Sequence, residues 1–296
     1  MSAPAWLDSS AYPFRPHFFD TEEGRLHYVD EGVGPPVVLV HGTPTWSFVY
    51  RDLITRLAAA GHRVIAVDHL GFGLSDKAGR GSSSAAYRPE DHARRLEALI
   101  DRLALTDVTL VVHDFGGPIG LSYAIEHPER VARLIVLNSW LWPLDGDTRI
   151  ARGSRLAASL LGRFLYMRLN ASPRWLIPAS YADRRRLSAR VHQQYLAPFP
   201  TPPSRLPLWV LARELLGSSA WYDALWSRRE RLRGKPALLL WGSRDPAFGA
   251  PYLSRWREGL PDATVVELPD AGHFVQEEAP NEVASHVIGF LARHPG

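Results

Sequence analysis

Six short runs rich in valine, isoleucine and leucine constrain this chain more than any other feature. They cover residues 37–40, 63–67, 108–113, 133–137, 237–241 and 264–268, and turn residues bound each one. A strand that is apolar along its whole length must be covered on both faces, which a parallel sheet flanked by helices achieves. Helix-length segments such as 48–60 and 89–103 separate most of the runs. The expected fold is therefore α/β, with a mostly parallel central sheet and helices on both faces. Residues 18–30 read instead as a hairpin around Glu22-Glu23-Gly24.

The alternation breaks once. After the run at 133–138, no strand signal returns until Pro236. The gap holds amphipathic helical stretches, many tryptophans and a proline-rich segment at 198–207. It is too long for a structureless loop inside a compact domain. It reads as a helical insertion over the C-terminal edge of the sheet, where open α/β sheets bind ligands. The chain then divides into a first core part (1–139), a helical cap (140–231) and a second core part (232–296). Its 296 residues suit one large core with one insertion.

Composition removes several function classes. With no cysteine, there is no disulfide, zinc–thiolate site, iron–sulfur cluster or cysteine nucleophile. No run of about 18 apolar residues occurs, so no transmembrane helix is expected. The first ten residues lack the pattern of a signal peptide, and the simplest expected location is the cytoplasm. The net charge of +3 is carried by arginine, since Lys77 and Lys235 are the only lysines. Clusters such as Arg184-Arg185-Arg186 and Arg228-Arg229-Glu230-Arg231 read as solvated helix faces, with no nucleic-acid motif beside them. Neither a nucleic-acid nor a membrane partner is expected, and the chain reads as a monomer or weak homo-oligomer. Asp30-Glu31 and Asp91-His92 read as surface residues, and no metal site is expected. Gly71-Phe72-Gly73 lacks the third glycine and following acid of a dinucleotide site, so no cofactor is expected either.

Four motifs carry the chemistry. Val111-Val112-His113-Asp114-Phe115-Gly116-Gly117 runs from a strand through a small-residue turn into a helix at 118–125. That is the context of a nucleophile elbow, with Asp114 at the exposed position. Trp241-Gly242-Ser243-Arg244-Asp245 and Asp270-Ala271-Gly272-His273-Phe274 each follow a strand. The order nucleophile, acid, histidine is that of the α/β hydrolases. His41-Gly42-Thr43-Pro44 follows the first core strand, and in this arrangement its loop supplies one oxyanion-hole amide. The nominated donors are the backbone N–H groups of Thr43 and Phe115. His113 reads as structural packing beneath the elbow.

An aspartate nucleophile displaces a leaving group from saturated carbon and becomes an ester. His273 then activates water against that ester, and Asp245 holds the imidazole in its tautomer.

With these motifs the sequence resembles the haloalkane dehalogenases, in the branch of α/β hydrolases that also holds epoxide hydrolases. The likeness rests on residues 41–48, on Asp68-His69-Leu70-Gly71-Phe72-Gly73-Leu74-Ser75-Asp76, on 113–117 and on Gly272-His273-Phe274-Val275-Gln276-Glu277. Tyr195-Leu196-Ala197-Pro198-Phe199-Pro200 is similar to the caps of that family. The resemblance covers 18–144 and 233–291. In the family the acid follows either of two strands; here the run at 133–138 ends without a carboxylate, which favours Asp245.

The resemblance also implies two donors to a departing halide. One is a tryptophan just after the nucleophile, where this chain has Phe115, whose side chain has no donor. The other is an asparagine at the Thr43 position or a cap tryptophan, which an ungapped count from Tyr195 places at Phe164. The Thr43 hydroxyl, Trp140, Trp142 and Trp175 are the remaining candidates, and Phe164, Trp175 and Trp140 are the expected pocket residues.

The sequence thus implies a cofactor-free hydrolase that uses water on a small apolar organic substrate through an ester on Asp114. An epoxide hydrolase would need phenols in the cap, with Tyr166, Tyr181 and Tyr195 available. A β-lactone decarboxylase would share the triad and tolerate a poor halide site. A hydrolase-fold binding protein is the non-enzymatic alternative.

Overall fold

The computed structural model describes residues 4–77 and 84–295. Its strands are β1 (His17–Thr21), β2 (Gly24–Glu31), β3 (Pro36–Val40), β4 (Arg63–Val67), β5 (Val108–Asp114), β6 (Val131–Ser139), β7 (Ala237–Gly242) and β8 (Thr264–Leu268). They form one sheet in the order β1-β2-β4-β3-β5-β6-β7-β8. β1 and β2 make the antiparallel hairpin, with Thr21 opposite Gly24. β2 also runs antiparallel to β4, and every later pairing is parallel. All seven residues of β5 are buried, as a strand covered on both faces requires.

Helices α1 (Arg51–Ala59), α2 (Pro89–Arg102) and α3 (Gly116–Glu126) fill the crossovers. α2 starts where its sequence says it should. Pro89 suits the first helical position, Glu90 and Asp91 face the positive end of the dipole, and Arg102 sits in the last turn. α3 lacks a polar face because ten of its eleven residues are buried.

The strand order fixes where a site can form. From β3 the chain steps outward to β4, then crosses back to β5 and continues to β6, β7 and β8. Right-handed crossovers therefore place α1 on the opposite face from α2 and α3. The reversal falls between β3 and β5, and the crevice at the C-terminal ends of those strands is the topological switch point.

No strand lies between β6 and β7 among the described residues. The chain instead makes a helical excursion: α4 (Thr148–Ala158), α5 (Leu160–Leu169), α6 (Ile177–Ser180), α7 (Ala189–Leu196), α8 (Leu206–Gly217) and α9 (Ser219–Ser227). Side chains start several of these helices. Asp147 caps α4, Ser159 caps α5 and Ser188 caps α7. Back in the core, α10 (Ala250–Gly259) joins β7 to β8, and α11 (Val275–Glu278) and α12 (Pro280–Arg293) follow.

Several bonds seat the excursion on loops that leave the C-terminal ends of β3 and β8. Trp46 Nε1 donates to the Gln194 carbonyl at 2.9 Å. The His273 amide donates to the Ser180 carbonyl at 2.9 Å. The Glu278 carboxylate accepts from the amides of Gly272 at 2.8 Å and Ala182 at 2.9 Å. Arg51 forms a two-pronged ion pair with Glu277, at 2.5 and 2.8 Å, and the Tyr195 hydroxyl donates to the same carboxylate. No helix among the described residues is long and apolar enough to cross a membrane.

Candidate active site

Asp114 ends β5 with φ at 52°, the left-handed region that a non-glycine residue rarely occupies. Such a conformation costs about 1–3 kcal/mol and persists only where the surroundings fix it. Here the surroundings have no room to let it go. A Cβ on Gly42 would lie 2.2 Å from Asp114 Oδ1, and one on Gly116 would lie 2.0 Å from the Val40 carbonyl oxygen. Ser139 Oγ, from the neighbouring strand, donates to the Asp114 carbonyl at 2.5 Å.

The two oxygens of Asp114 have different partners. Oδ1 accepts from the Thr43 amide at 2.8 Å. Oδ2 faces His273 Nε2 at 3.6 Å. On the far side of the ring, His273 Nδ1 is 2.8 Å from Asp245 Oδ2. Asp245, on the turn after β7, also accepts from the Ala247 amide at 2.6 Å. All three residues are buried. The structure therefore brings Asp114, Asp245, His273 and the Thr43 amide together, while the Phe115 amide opens α3 beside them.

Burial alone would push the His273 imidazole toward its neutral form. The carboxylates of Asp245 and Asp114 outweigh it and raise the pKa to about 10. The Asp245 carboxyl is likewise pushed up by burial, but its bond and charge interaction with His273 leave it below the ordinary carboxylate value. His113 lies directly beneath. Burial lowers its pKa to about 3, and its Nε2 is 2.9 Å from the His273 carbonyl oxygen. A neutral His113 that donates there fixes the His273 backbone.

Asn138 is a site residue that the sequence reading passes over. It stands at the end of β6 with φ at 31°. Its Nδ2 donates to Asp245 Oδ2 at 2.8 Å, and its Oδ1 accepts from the Gly242 amide at 2.8 Å. The signal was present as a polar residue ending an otherwise apolar run, at the alternative position for the acid.

The expected pocket residues separate. Trp140 is fully buried, with its ring edge-on to Phe115 at 4.8 Å and 4.7 Å from Phe248, which in turn lies 5.6 Å from the His273 ring. Among the described residues, its indole N–H has no hydrogen-bond partner, and neither does the buried Thr43 hydroxyl. Phe164 and Trp175 stand 52% and 47% exposed on the excursion, outside this buried group. Between Phe164 and Tyr195, a left-handed Asn170 and a π-turn at Ser172–Leu176 break the helical path. Trp142 packs with Trp226, Tyr252 and Trp256 instead of joining the site. Of the three tyrosines, Tyr195 is committed to Glu277, while the buried Tyr181 hydroxyl has no partner among the described residues.

A cavity of about 680 Å³ between the N-terminal segment and residues 197–204 contains none of the Asp114, Asp245 and His273 side chains. Among the described residues, no group of three or more His, Asp or Glu side chains could hold a metal ion.

Comparison with known proteins places the fold and the family. Residues 35–280 match the family model described as alpha/beta hydrolase fold. Haloalkane dehalogenase 2 of Mycobacterium tuberculosis is 37% identical over 97% of this chain and 99% of its own length. The chain belongs to the haloalkane dehalogenase family of the α/β-hydrolase fold. A solved haloalkane dehalogenase from Bradyrhizobium elkani superposes with a TM-score of 0.84 at 28% identity, covering 95% of this chain and 98% of that one. The relatives of this chain also include a protein named for another activity. A cis-3-alkyl-4-alkyloxetan-2-one decarboxylase of Shewanella oneidensis is 36% identical over 94% of this chain and 89% of its own.

Proposed function

We propose that this protein hydrolyses small, mostly apolar haloalkanes through an ester on Asp114. The observation that carries the reading is the division of labour between the Asp114 oxygens. The Thr43 amide holds Oδ1 at 2.8 Å, which leaves Oδ2, 3.6 Å from His273, as the attacking atom. Oδ2 forms a bond to the substrate carbon as the carbon–halogen bond breaks, and halide leaves with the electron pair. Water then adds to the Asp114 carboxyl carbon while its proton passes to His273 Nε2. The amides of Thr43 and Phe115 stabilise the oxyanion of the tetrahedral intermediate. Collapse releases the alcohol and restores the carboxylate.

The electrostatics support a switch between the two steps. In the free enzyme, His273 faces two carboxylates, which favour its charged form. Esterification removes the charge of Asp114, so one of the groups that raise the imidazole pKa is lost. The histidine becomes a competent base when the ester needs one, and it stays paired with Asp245 throughout.

The leaving group needs donors, because a buried halide without them is costly. Trp140 Nε1 and Thr43 Oγ1 are buried and unpartnered, which suits them to that role in place of a side chain at Phe115. The same gap supports a second reading, a β-lactone decarboxylase. A carboxylate leaving group stays tethered to the substrate and demands less of a halide cradle, and the Shewanella relative bears that activity in its name.

The test is bromide release from a panel of terminal and vicinal bromoalkanes, with Asp114→Asn as control. Release that disappears in the variant supports the dehalogenase. A folded protein that releases no bromide, yet converts a cis-3,4-dialkyl-oxetan-2-one to alkene and carbon dioxide, overturns it in favour of the decarboxylase.

A further inference from the structure

Helix α5 reads Leu-Leu-Gly-Arg-Phe-Leu-Tyr-Met-Arg-Leu, yet Gly162 is its one fully buried residue. It touches the end of α4 through that glycine, where a Cβ would lie 1.9 Å from the Leu156 carbonyl oxygen. The apolar side chains around the contact face water. Leu160 is 87% exposed, Leu161 58%, Phe164 52% and Leu156 48%. At roughly 100° per residue, positions 160, 161, 164 and 168 share one side of α5. Clustered exposure of this kind marks a surface that something else covers.

The charge of the same region narrows what covers it. Residues 148–196 hold ten arginines and one acidic residue, Asp183, while the rest of the chain holds 24 basic and 30 acidic residues. The net charge of +3 therefore divides into +9 on this stretch and −6 elsewhere. Arg152 and Arg155 on α4 and Arg163 and Arg168 on α5 are exposed. The ion pairs of this stretch among the described residues involve Arg185 and Arg190 instead.

We propose that the outer face of α4 and α5 docks on an anionic lipid bilayer. The leucines and Phe164 enter the acyl boundary, and the arginines meet the headgroup phosphates. A second copy seated face to face would set these arginines against their own counterparts. A nucleic acid would satisfy the arginines but leave Leu160 and Leu161 in water. The expectation of no membrane partner rests on the lack of a spanning segment, and surface docking needs none. The inference is independent of the proposed chemistry.

The experiment is flotation of the full chain with phosphatidylcholine vesicles, with and without phosphatidylglycerol, at low and high salt. Light scattering on the same samples reports the oligomeric state. The protein is expected to float with phosphatidylglycerol vesicles at low salt and to stay unbound on phosphatidylcholine alone. Replacing four arginines (R152Q, R155Q, R163Q, R168Q) should weaken binding by about a hundredfold or more. The pair L160D and L161D should weaken it by about tenfold or more. Both variants should keep the wild-type thermal melt, because these side chains are exposed. The proposal fails if the folded wild type does not float. It also fails if L160D/L161D floats as well as wild type, which would mark a general polyanion site. A wild-type dimer that L160D/L161D dissolves would assign the face to a second copy and overturn it too.

Discussion

At the scale of single residues, the site is a set of hydrogen bonds around two buried carboxylates and one imidazole. Asn138 is a positioning residue, since it touches Asp245 and not the reacting atoms. Asn138→Ala removes one hydrogen bond to a buried charge, worth about 1.5–3 kcal/mol. Turnover should fall by roughly tenfold to a hundredfold with little change in KM, in steady-state kinetics on a substrate the wild type converts. His273 gives a pH prediction with a definite sign. Its pKa rises from 6.5 to about 10 in the fold. The stabilisation from the charged ring is thus fully present below pH 6.5 and lost as pH rises through about 10. Melting temperatures of the wild type should drop across that window, and His273→Gln should flatten the curve. In Asp114→Asn the imidazole should titrate lower than in wild type, because one raising carboxylate is gone. NMR of the ring protons would read this directly, and an unchanged midpoint would contradict the proposed switch.

Between the strands and helices, the decisive feature is close approach. The elbow brings the loop after β3, the end of β5 and the start of α3 into contact without room for a methyl group. Gly42→Ala sets a Cβ 2.2 Å from the Asp114 carboxylate, so the carboxylate must turn away. Activity should be lost while the fold largely survives, as circular dichroism would report. Gly116→Ala meets the Val40 backbone at 2.0 Å, which no side-chain rotation relieves. That variant should lose about 1–3 kcal/mol or more of stability in a denaturant melt. Both positions were visible in the sequence as glycines in motifs. Which atom each glycine makes room for was not.

Across the whole molecule, the excursion and the core are joined by buried polar contacts as well as apolar ones. Glu277 links Arg51 on α1 with Tyr195 on α7, and its side chain is 4% exposed. Arg51→Met leaves that carboxylate buried with its main counter-charge removed, which costs about 3–5 kcal/mol. Thermal unfolding should shift down accordingly, and activity at low temperature should fall less than stability does. The sequence by itself determined the α/β class and the six parallel strands, and it nominated Asp114, Asp245 and His273, which the fold sets side by side. These are local signals: continuous apolar runs, and turn residues that end each strand at the same edge. Tertiary structure alone decided the rest. It placed Asn138 beside Asp245 across 107 residues of chain. It buried Trp140 against Phe115 and left Phe164 and Trp175 half-exposed on the excursion, a difference that residue type alone does not encode. It also left leucines and arginines of α4 and α5 exposed together, because α5 meets α4 through Gly162 and not through its large apolar side chains.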